Sequence, residues 1–233
     1  IEELAQLREN LVDDIEARHI NRLNIALENL EKDVVKLANS LPLRDNKLFE
    51  ARLAVELRPK IKALIDKHYV LWADGTVREY DKVAKIIVDN MKVLPISENF
   101  KTLTELDIET ITNLKRVKFT GFLDIATETT NALADEIYQS TISGKPFEDT
   151  VKTLQHRING VYIKADQDEI NDLVELVATT TDETVKQKAI EKLHTVYGAD
   201  RVGNNMRRYA KQLAHDSLME FDGQFTKAKA TEA

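Results

Sequence analysis

Three cationic or protonatable side chains near the end of the chain are spaced so that one helix would present them together. Arg208, Lys211 and His215 lie three and four residues apart, which places them on one helical face. Guanidinium, ammonium and imidazolium groups in such a strip bind acidic side chains or phosphates. We therefore expect the strip to contact an acidic partner or, weakly, DNA. Pairing with the chain's own carboxylates, or simple exposure to solvent, is the alternative.

The other residue types that carry chemistry form no catalytic or metal-binding motif. The chain has five His and no Cys, and no two histidines are separated by the three or four residues that pair metal ligands on a helix. Gly144-Lys145 lacks the upstream Gly and the following Ser or Thr of a phosphate-binding loop. No Gly-flanked Ser nucleophile occurs. We expect no enzymatic activity, no cofactor and no metal site.

Composition predicts the fold class. Of 233 residues, 42% are hydrophobic, and there are only 7 Gly and 4 Pro. Few helix breakers and abundant Leu, Ala, Glu and Lys indicate an all-α protein. No apolar run approaches the roughly 20 residues that cross a bilayer, so we expect no membrane association. The net charge of −7 argues against a dedicated nucleic-acid binder, although a local basic strip can still touch phosphates.

An apolar stripe runs along the first segment of the chain. Its members alternate at spacings of three and four for three heptads, and Pro42 ends the segment. The stripe changes register near Asp14 to His19, so it predicts either one long helix with a stutter or two helices in line. In both cases the segment either packs in an ordinary helical bundle or forms a coiled coil. We expect its residues to bind a partner chain: Ile20, Leu23, Leu27, Leu30, Val34 and Leu37.

The remainder of residues 1–94 is predicted to complete a long helical hairpin and add a third helix. The second helix is expected over Leu48 to Trp72, with Pro59 kinking or splitting it because proline removes an amide donor. Asp74-Gly75 indicates a turn, and Thr76 is a candidate cap for the third helix.

Residues 95–106 are predicted to be a linker, and residues 107–233 a C-terminal helical domain with a short polar tail. Asp107 is expected to cap the first helix of that domain, and Gly121 to interrupt it. Gly144 to Pro146 predicts the end of one helix and the start of another.

The closing segments of the chain are also marked by glycine. Gly160 is expected to end the helix that follows Pro146. A further helix is expected over Asn204 to Ala230, with its regular part ending near Asp222 because Gly223 follows.

Residues from about 119 to 230 resemble the phage head morphogenesis family, whose members are minor head (minor capsid) proteins. A helix of Thr and Ala residues leads into a glycine-marked restart, as it does in that family. The closing helix resembles the family's Arg-bearing helix with its small residues and polar tail. The segments that carry the resemblance are Thr127 to Ile142, Ser143-Gly144-Lys145-Pro146-Phe147-Glu148, Arg208-Tyr209-Ala210, Ala214-His215-Asp216-Ser217 and Phe221-Asp222-Gly223-Gln224.

The resemblance implies a structural protein of the virion, assembled in the host cytoplasm. Such a protein associates with portal or capsid protein and assists head assembly, DNA packaging or DNA delivery. It would belong to a larger assembly, with apolar helical stripes buried against partner chains and charges fixing the register. Two alternatives stay open: a cellular coiled-coil scaffold or interaction protein, and an enzyme whose carboxylates and His assemble only in space.

Overall fold

Helices make up almost all of the described part of the chain, which confirms the all-α prediction. The structure is a computed structural model and describes residues 2–50, 52–92, 101–160, 175–176, 179–180, 184–189 and 205–231. The elements in chain order are α1 (Glu2–Asn39), β1 (Leu43–Arg44), β2 (Lys47–Leu48), α2 (Arg52–Ile65), a π-helical turn (Asp66–Val70), α3 (Leu71–Arg78), α4 (Tyr80–Met91), α5 (Glu105–Ser143), α6 (Phe147–Asn159) and α7 (Met206–Thr231).

A two-stranded hairpin follows α1, where a helix was expected from Leu48. β1 and β2 pair antiparallel, and the two residues between them, Asp45 and Asn46, have φ values of 50° and 59°. Two consecutive positive φ values are typical of the tight turns that join short strands, and Asp and Asn tolerate them better than most residues. The Phe147 amide donates to the Asn46 carbonyl oxygen at 2.9 Å, which ties the hairpin to the start of α6.

The helical path after the hairpin is less interrupted than predicted. α2 continues through Pro59 without splitting, and the change of helical geometry comes at the π-helical turn instead. Asp74-Gly75 and Thr76 lie inside α3, so the predicted turn and cap are wrong; α4 begins at Tyr80. Burial explains the continuity, because Trp72, Ala73, Thr76 and Val77 all point into the protein.

α5 begins one turn before its expected cap and is not interrupted. Thr104 is the N-cap, and Asp107 is the acidic partner of a capping box, so the assignment of Asp107 as the cap was wrong. Gly121 lies within the 39-residue helix. A Cβ atom at Gly121 would lie 3.2 Å from Leu213 Cδ2, so this glycine allows α7 to approach α5 closely. Gly144, at φ 65°, ends α5 as predicted.

The two later glycine predictions have opposite outcomes. Gly160 follows the last residue of α6 and its amide donates to the His156 carbonyl, which confirms the predicted end. Gly223 does not end α7, because Phe221 and Phe225 on either side of it are fully buried and hold the helix in place. The predicted polar tail is therefore helical as far as Thr231.

Two hydrophobic cores stack along the three longest helices. The first lies between the later part of α1, α2 to α3, the second half of α5, α6 and the start of α7; Tyr69, Trp72 and Phe122 meet in it. The second lies between the first part of α1, α4, the start of α5 and the end of α7; Phe221 contacts Tyr80 and Phe225 there.

Helices from both sides of the predicted linker share these cores. α1 and α4 precede residues 95–106, whereas nearly all of α5 and the whole of α7 follow them, and each core contains residues from both sides. Residues 95–100 of the linker lie outside the described residues, and the later part of it already contains the cap of α5. The division into domains stays a prediction.

Candidate interaction surfaces

The apolar stripe of α1 packs inside the protein. Its six predicted contact residues share one face of the helix, and all except Ile20 belong to the first core or pack against it. A partner chain could reach them only by displacing helices of the same chain. Four of them are buried and the other two are half-buried: Leu23, Leu27, Leu30 and Val34, then Ile20 and Leu37.

The cationic strip of α7 lies at the surface, with one end held by α1. Arg208 and His215 are exposed and Lys211 is half-buried. The His215 Nδ1 atom lies 2.9 Å from Glu16 Oε1, so an acidic side chain of the same protein occupies that end of the strip. Of the three residues of the strip, Arg208 is therefore the side chain whose exposure best suits contact with a partner or with phosphates.

A buried polar cluster behind the strip was not predicted. Arg207 is 8% exposed, and its Nε atom donates to Asn159 Oδ1 at 3.0 Å. Asn159 in turn donates to the Leu27 carbonyl oxygen and to Glu31. The cluster joins α1, α6 and α7. Neighbouring arginines on a helix point about 100° apart, so Arg207 and Arg208 have opposite roles despite similar sequence surroundings.

A second buried group connects α1 to the junction of α3 and α4. His19 is 2% exposed and its Nε2 atom lies 2.8 Å from Glu79 Oε2, while Trp72 donates its indole N–H to the His19 carbonyl oxygen at 3.0 Å. Burial lowers the pKa of His19 below 6.5 despite the opposing hydrogen bond and charge of Glu79.

The carboxyl group of Glu79 is ionised in this arrangement. Burial on its own would raise the pKa of Glu79, but the hydrogen bonds from His19 and Arg22 outweigh it and lower that pKa to about 2. A neutral His19 that donates Nε2–H to a charged Glu79 satisfies both groups.

The remaining described histidines do not gather into a metal site. His68 Nε2 lies 2.7 Å from Asp33 Oδ2, and hydrogen bonds from His68 and Lys67 lower the pKa of Asp33 to about 2. His156 is exposed, and His194 lies outside the described residues. Among the described residues, no group of three or more His, Cys, Asp or Glu could hold a metal ion.

An open groove lies between α2 and α5. Its lining includes Pro59, Ala126 and Thr130, and its volume is about 540 Å³ at one end. A shallower continuation of about 360 Å³ is lined by Val55, Ala134 and other residues of the two helices. The residues of α2 and α5 that form the groove are separated by more than fifty positions in the sequence, so no local pattern could reveal it.

Comparison with protein-family models, with curated proteins and with solved structures gives no match to this chain. None of the described helices combines the length and the apolar character needed to cross a bilayer.

Proposed function

We propose that the chain is a non-enzymatic structural protein of a phage head, of the minor head protein kind, that binds portal or capsid protein. The observation that carries the proposal is spatial. The helices that carry the segments resembling the family, α5, α6 and α7, all pack against one another. The parts of the sequence that resemble the family therefore belong to one packed arrangement of helices and are not two unrelated stretches.

Specific contacts join these helices. Leu213 of α7 packs over Gly121 of α5, and Lys118 of α5 pairs with Glu220 of α7. At the corner, Lys145 donates to Glu136 Oε1 at 2.8 Å and to Thr153 Oγ1 at 2.7 Å, which joins the end of α5 to α6. The corner at Gly144, where α5 ends and α6 follows, is therefore held by contacts between the two helices.

The mechanism we propose is attachment through exposed helical surface. The α1 stripe fills the protein's own core, so contacts with portal or capsid protein would use surfaces that remain exposed. These include the face of α7 that carries Arg208 and the apolar residues outside the cores. Assistance to packaging or delivery of DNA would then follow from the protein's position in the head, with a weak contact to phosphates through the strip.

The experiment that tests the proposal is co-purification with the portal protein encoded in the same genome, followed by electron microscopy. We expect the tagged chain to elute with a ring-shaped oligomer, and mass spectrometry to detect it in purified virions. Absence from both would overturn the proposal, and catalytic turnover or oligomerisation through α1 would then favour one of the two alternatives.

A charge reversal tests the role of the strip. Arg208→Glu should weaken portal or DNA retention, whereas Lys227→Glu, an exposed residue of the same helix, should not. Equal retention of both variants would remove the strip from the proposal. If the contact is to DNA, its affinity should also fall steeply with salt.

A further inference from the structure

A small cavity lies where α5, the last turn of α6 and the first turn of α7 meet, on a different side of α5 from the groove. Its volume is about 200 Å³. Polar side chains line it from all three helices: Glu128 and Thr129 of α5, Arg157 of α6, and Asn205 and Tyr209 at the start of α7. Elements that are distant in the sequence thus bring charged and hydrogen-bonding groups to one small space.

Thr129 presents to this cavity a hydroxyl group that has no partner within the protein. The residue is 8% exposed, and among the described residues its hydroxyl makes no hydrogen bond. Other threonines of α5 donate to the carbonyl oxygen four residues earlier, at 2.7–3.0 Å: Thr112, Thr120, Thr127, Thr130 and Thr141. Because a buried hydroxyl costs free energy unless it is hydrogen-bonded, Thr129 favours a polar occupant of the cavity.

The two charged residues of the cavity have opposite sign and are not paired with each other. Glu128 and Arg157 are both exposed, and neither forms an ion pair with another residue in the part of the chain that the structure describes. Their own helices supply no partner, because no residue three or four positions from Glu128 is basic and none at that spacing from Arg157 is acidic. A ligand with both an anionic and a cationic group would satisfy both side chains.

The start of α7 adds a preference for an anionic group. Asn205 Oδ1 accepts the Arg208 amide at 2.9 Å and so caps the helix. Met206 and Tyr209, in the first turn, line the cavity, so the positive end of the dipole of this 26-residue helix lies beside it. The helix end and the Arg157 guanidinium together favour a carboxylate, whereas Glu128 favours an ammonium group.

The size and the remaining lining of the cavity restrict the ligand further. Ile125, Ala132 and Met206 contribute apolar surface. A volume of about 200 Å³ corresponds to roughly seven water molecules, which is less than the pockets that hold drug-sized ligands. The ligand is therefore a small molecule with a short apolar part.

We propose that this cavity binds a free amino acid with a short aliphatic side chain, in its zwitterionic form. The carboxylate contacts Arg157 and the start of α7, the ammonium group contacts Glu128, and the Thr129 hydroxyl hydrogen-bonds to the ligand. The aliphatic side chain packs on Ile125 and Met206; valine has a suitable size. Since both charged side chains are also open to solvent, we expect a dissociation constant of roughly millimolar order. This inference goes beyond the proposed function and does not depend on it.

Titration of the ¹⁵N-labelled full chain with L-valine, followed by ¹H–¹⁵N NMR spectra, tests the proposal. We expect saturable shifts of amide signals from the residues around the cavity. Two comparison ligands separate a zwitterion site from a simpler one: 3-methylbutanoate lacks the ammonium group, and 2-methylpropylamine lacks the carboxylate. Each should bind at least about tenfold more weakly, because it leaves one charged side chain without a partner. Shifts that do not saturate, or equal binding of valine and 3-methylbutanoate, would overturn the proposal.

Thr129→Val tests the buried hydroxyl, because it keeps the shape of the side chain and removes the polar group. We expect the dissociation constant for valine to rise about three- to tenfold. The matched control is Thr127→Val, because Thr127 lies on the same helix, donates to the Leu123 carbonyl and does not line the cavity. Equal affinities of the two variants for valine would contradict the assignment of the site.

Glu128→Gln tests the position of the ammonium group. This variant should bind valine at least about fivefold more weakly and should lose the preference for valine over 3-methylbutanoate, because the carboxylate that recognises the ammonium group is gone. Arg157→Gln should weaken valine by a similar factor, whereas Lys152→Gln, at an exposed position of α6 outside the cavity, should not. The same spectra report whether each variant is folded. A folded Glu128→Gln that still prefers valine would refute the proposal.

Discussion

The buried pair between Lys229 of α7 and Asp107 of α5 provides the sharpest test of how the chain is held together. Lys229 is 0% exposed and Asp107 is 1% exposed, and the ammonium nitrogen lies 2.5 Å from Asp107 Oδ2. The same carboxylate accepts the Thr104 amide at 2.7 Å and the Thr104 hydroxyl at 2.9 Å. The pair therefore fastens the last turns of α7 to the first turn of α5.

Lys229→Met removes the charge and keeps most of the aliphatic stem, so the change in packing is small. It leaves the Asp107 carboxylate buried without its cation. Removing one partner of a buried ion pair costs about 3–5 kcal/mol. Because two hydrogen bonds from Thr104 remain, we expect a loss near the lower end, about 3 kcal/mol.

Urea denaturation measures this loss from the change in the free energy of unfolding. The control is Lys227→Met, an exposed lysine two residues earlier on the same helix, for which we expect a change of less than about 0.5 kcal/mol. Asp107→Asn with Lys229→Met should lose less than the sum of the single changes, with a coupling energy of about 1–3 kcal/mol. If Lys229→Met costs no more than Lys227→Met, the packing of α7 against α5 described above is wrong.

Two further predictions follow from the buried His19 and from the glycines. The pKa of His19 is lowered in the folded protein, so the unfolded chain binds the proton first and stability is lost as the pH falls below 6.5, by up to about 1.4 kcal/mol per pH unit. Urea titrations between pH 8 and pH 5 should show this slope in wild type but not in His19→Gln, and identical slopes would contradict it. Gly75→Ala and Gly223→Ala, inside helices with nothing within 4 Å, should each stabilise the protein by about 0.5–1 kcal/mol, whereas Gly144→Ala should destabilise it by about 1 kcal/mol. Thermal melts check the signs, and a stabilising Gly144→Ala would refute the role of its positive φ.

Local chemistry made part of the fold predictable. The long first helix was predictable because an apolar stripe with helical spacing persists over many turns. Gly144 was predictable as a stop because glycine adopts, without steric cost, the left-handed conformation that often ends a helix, and its φ is 65°. The hairpin was missed, although Asp45-Asn46 is a pair that tolerates two positive φ values and could have indicated it.

Predictions failed where tertiary burial outweighed local preference. Gly75, Gly121 and Gly223 all lie inside helices, because buried neighbours stabilise those helices by more than a glycine costs. The π-helical turn, in contrast, is not marked in the sequence by any residue as distinctive as glycine.

The candidate surfaces show the same limit of sequence reasoning. The strip on α7 was predictable from spacing alone, but its pairing with Glu16 was not, because that contact joins opposite ends of the chain. Arg207 is buried and Arg208 is exposed, and the packing of α7 against α1 and α6 decides which of the two is buried. The groove depends on how α2 lies on α5, which requires the whole fold.

The three longest helices each contribute to both cores, and this sharing has a mechanical consequence. α1 and α5 are 38 and 39 residues long, which corresponds to struts of about 57 Å. A helix of that length resists bending, and each of these is clamped by packed side chains at two separate levels. A pull or twist applied to one level is therefore transmitted along the struts to the other level instead of being absorbed by a hinge between them. The protein should respond to force as a single stiff beam, so that a deformation at the Lys229 end reaches the Gly144 end.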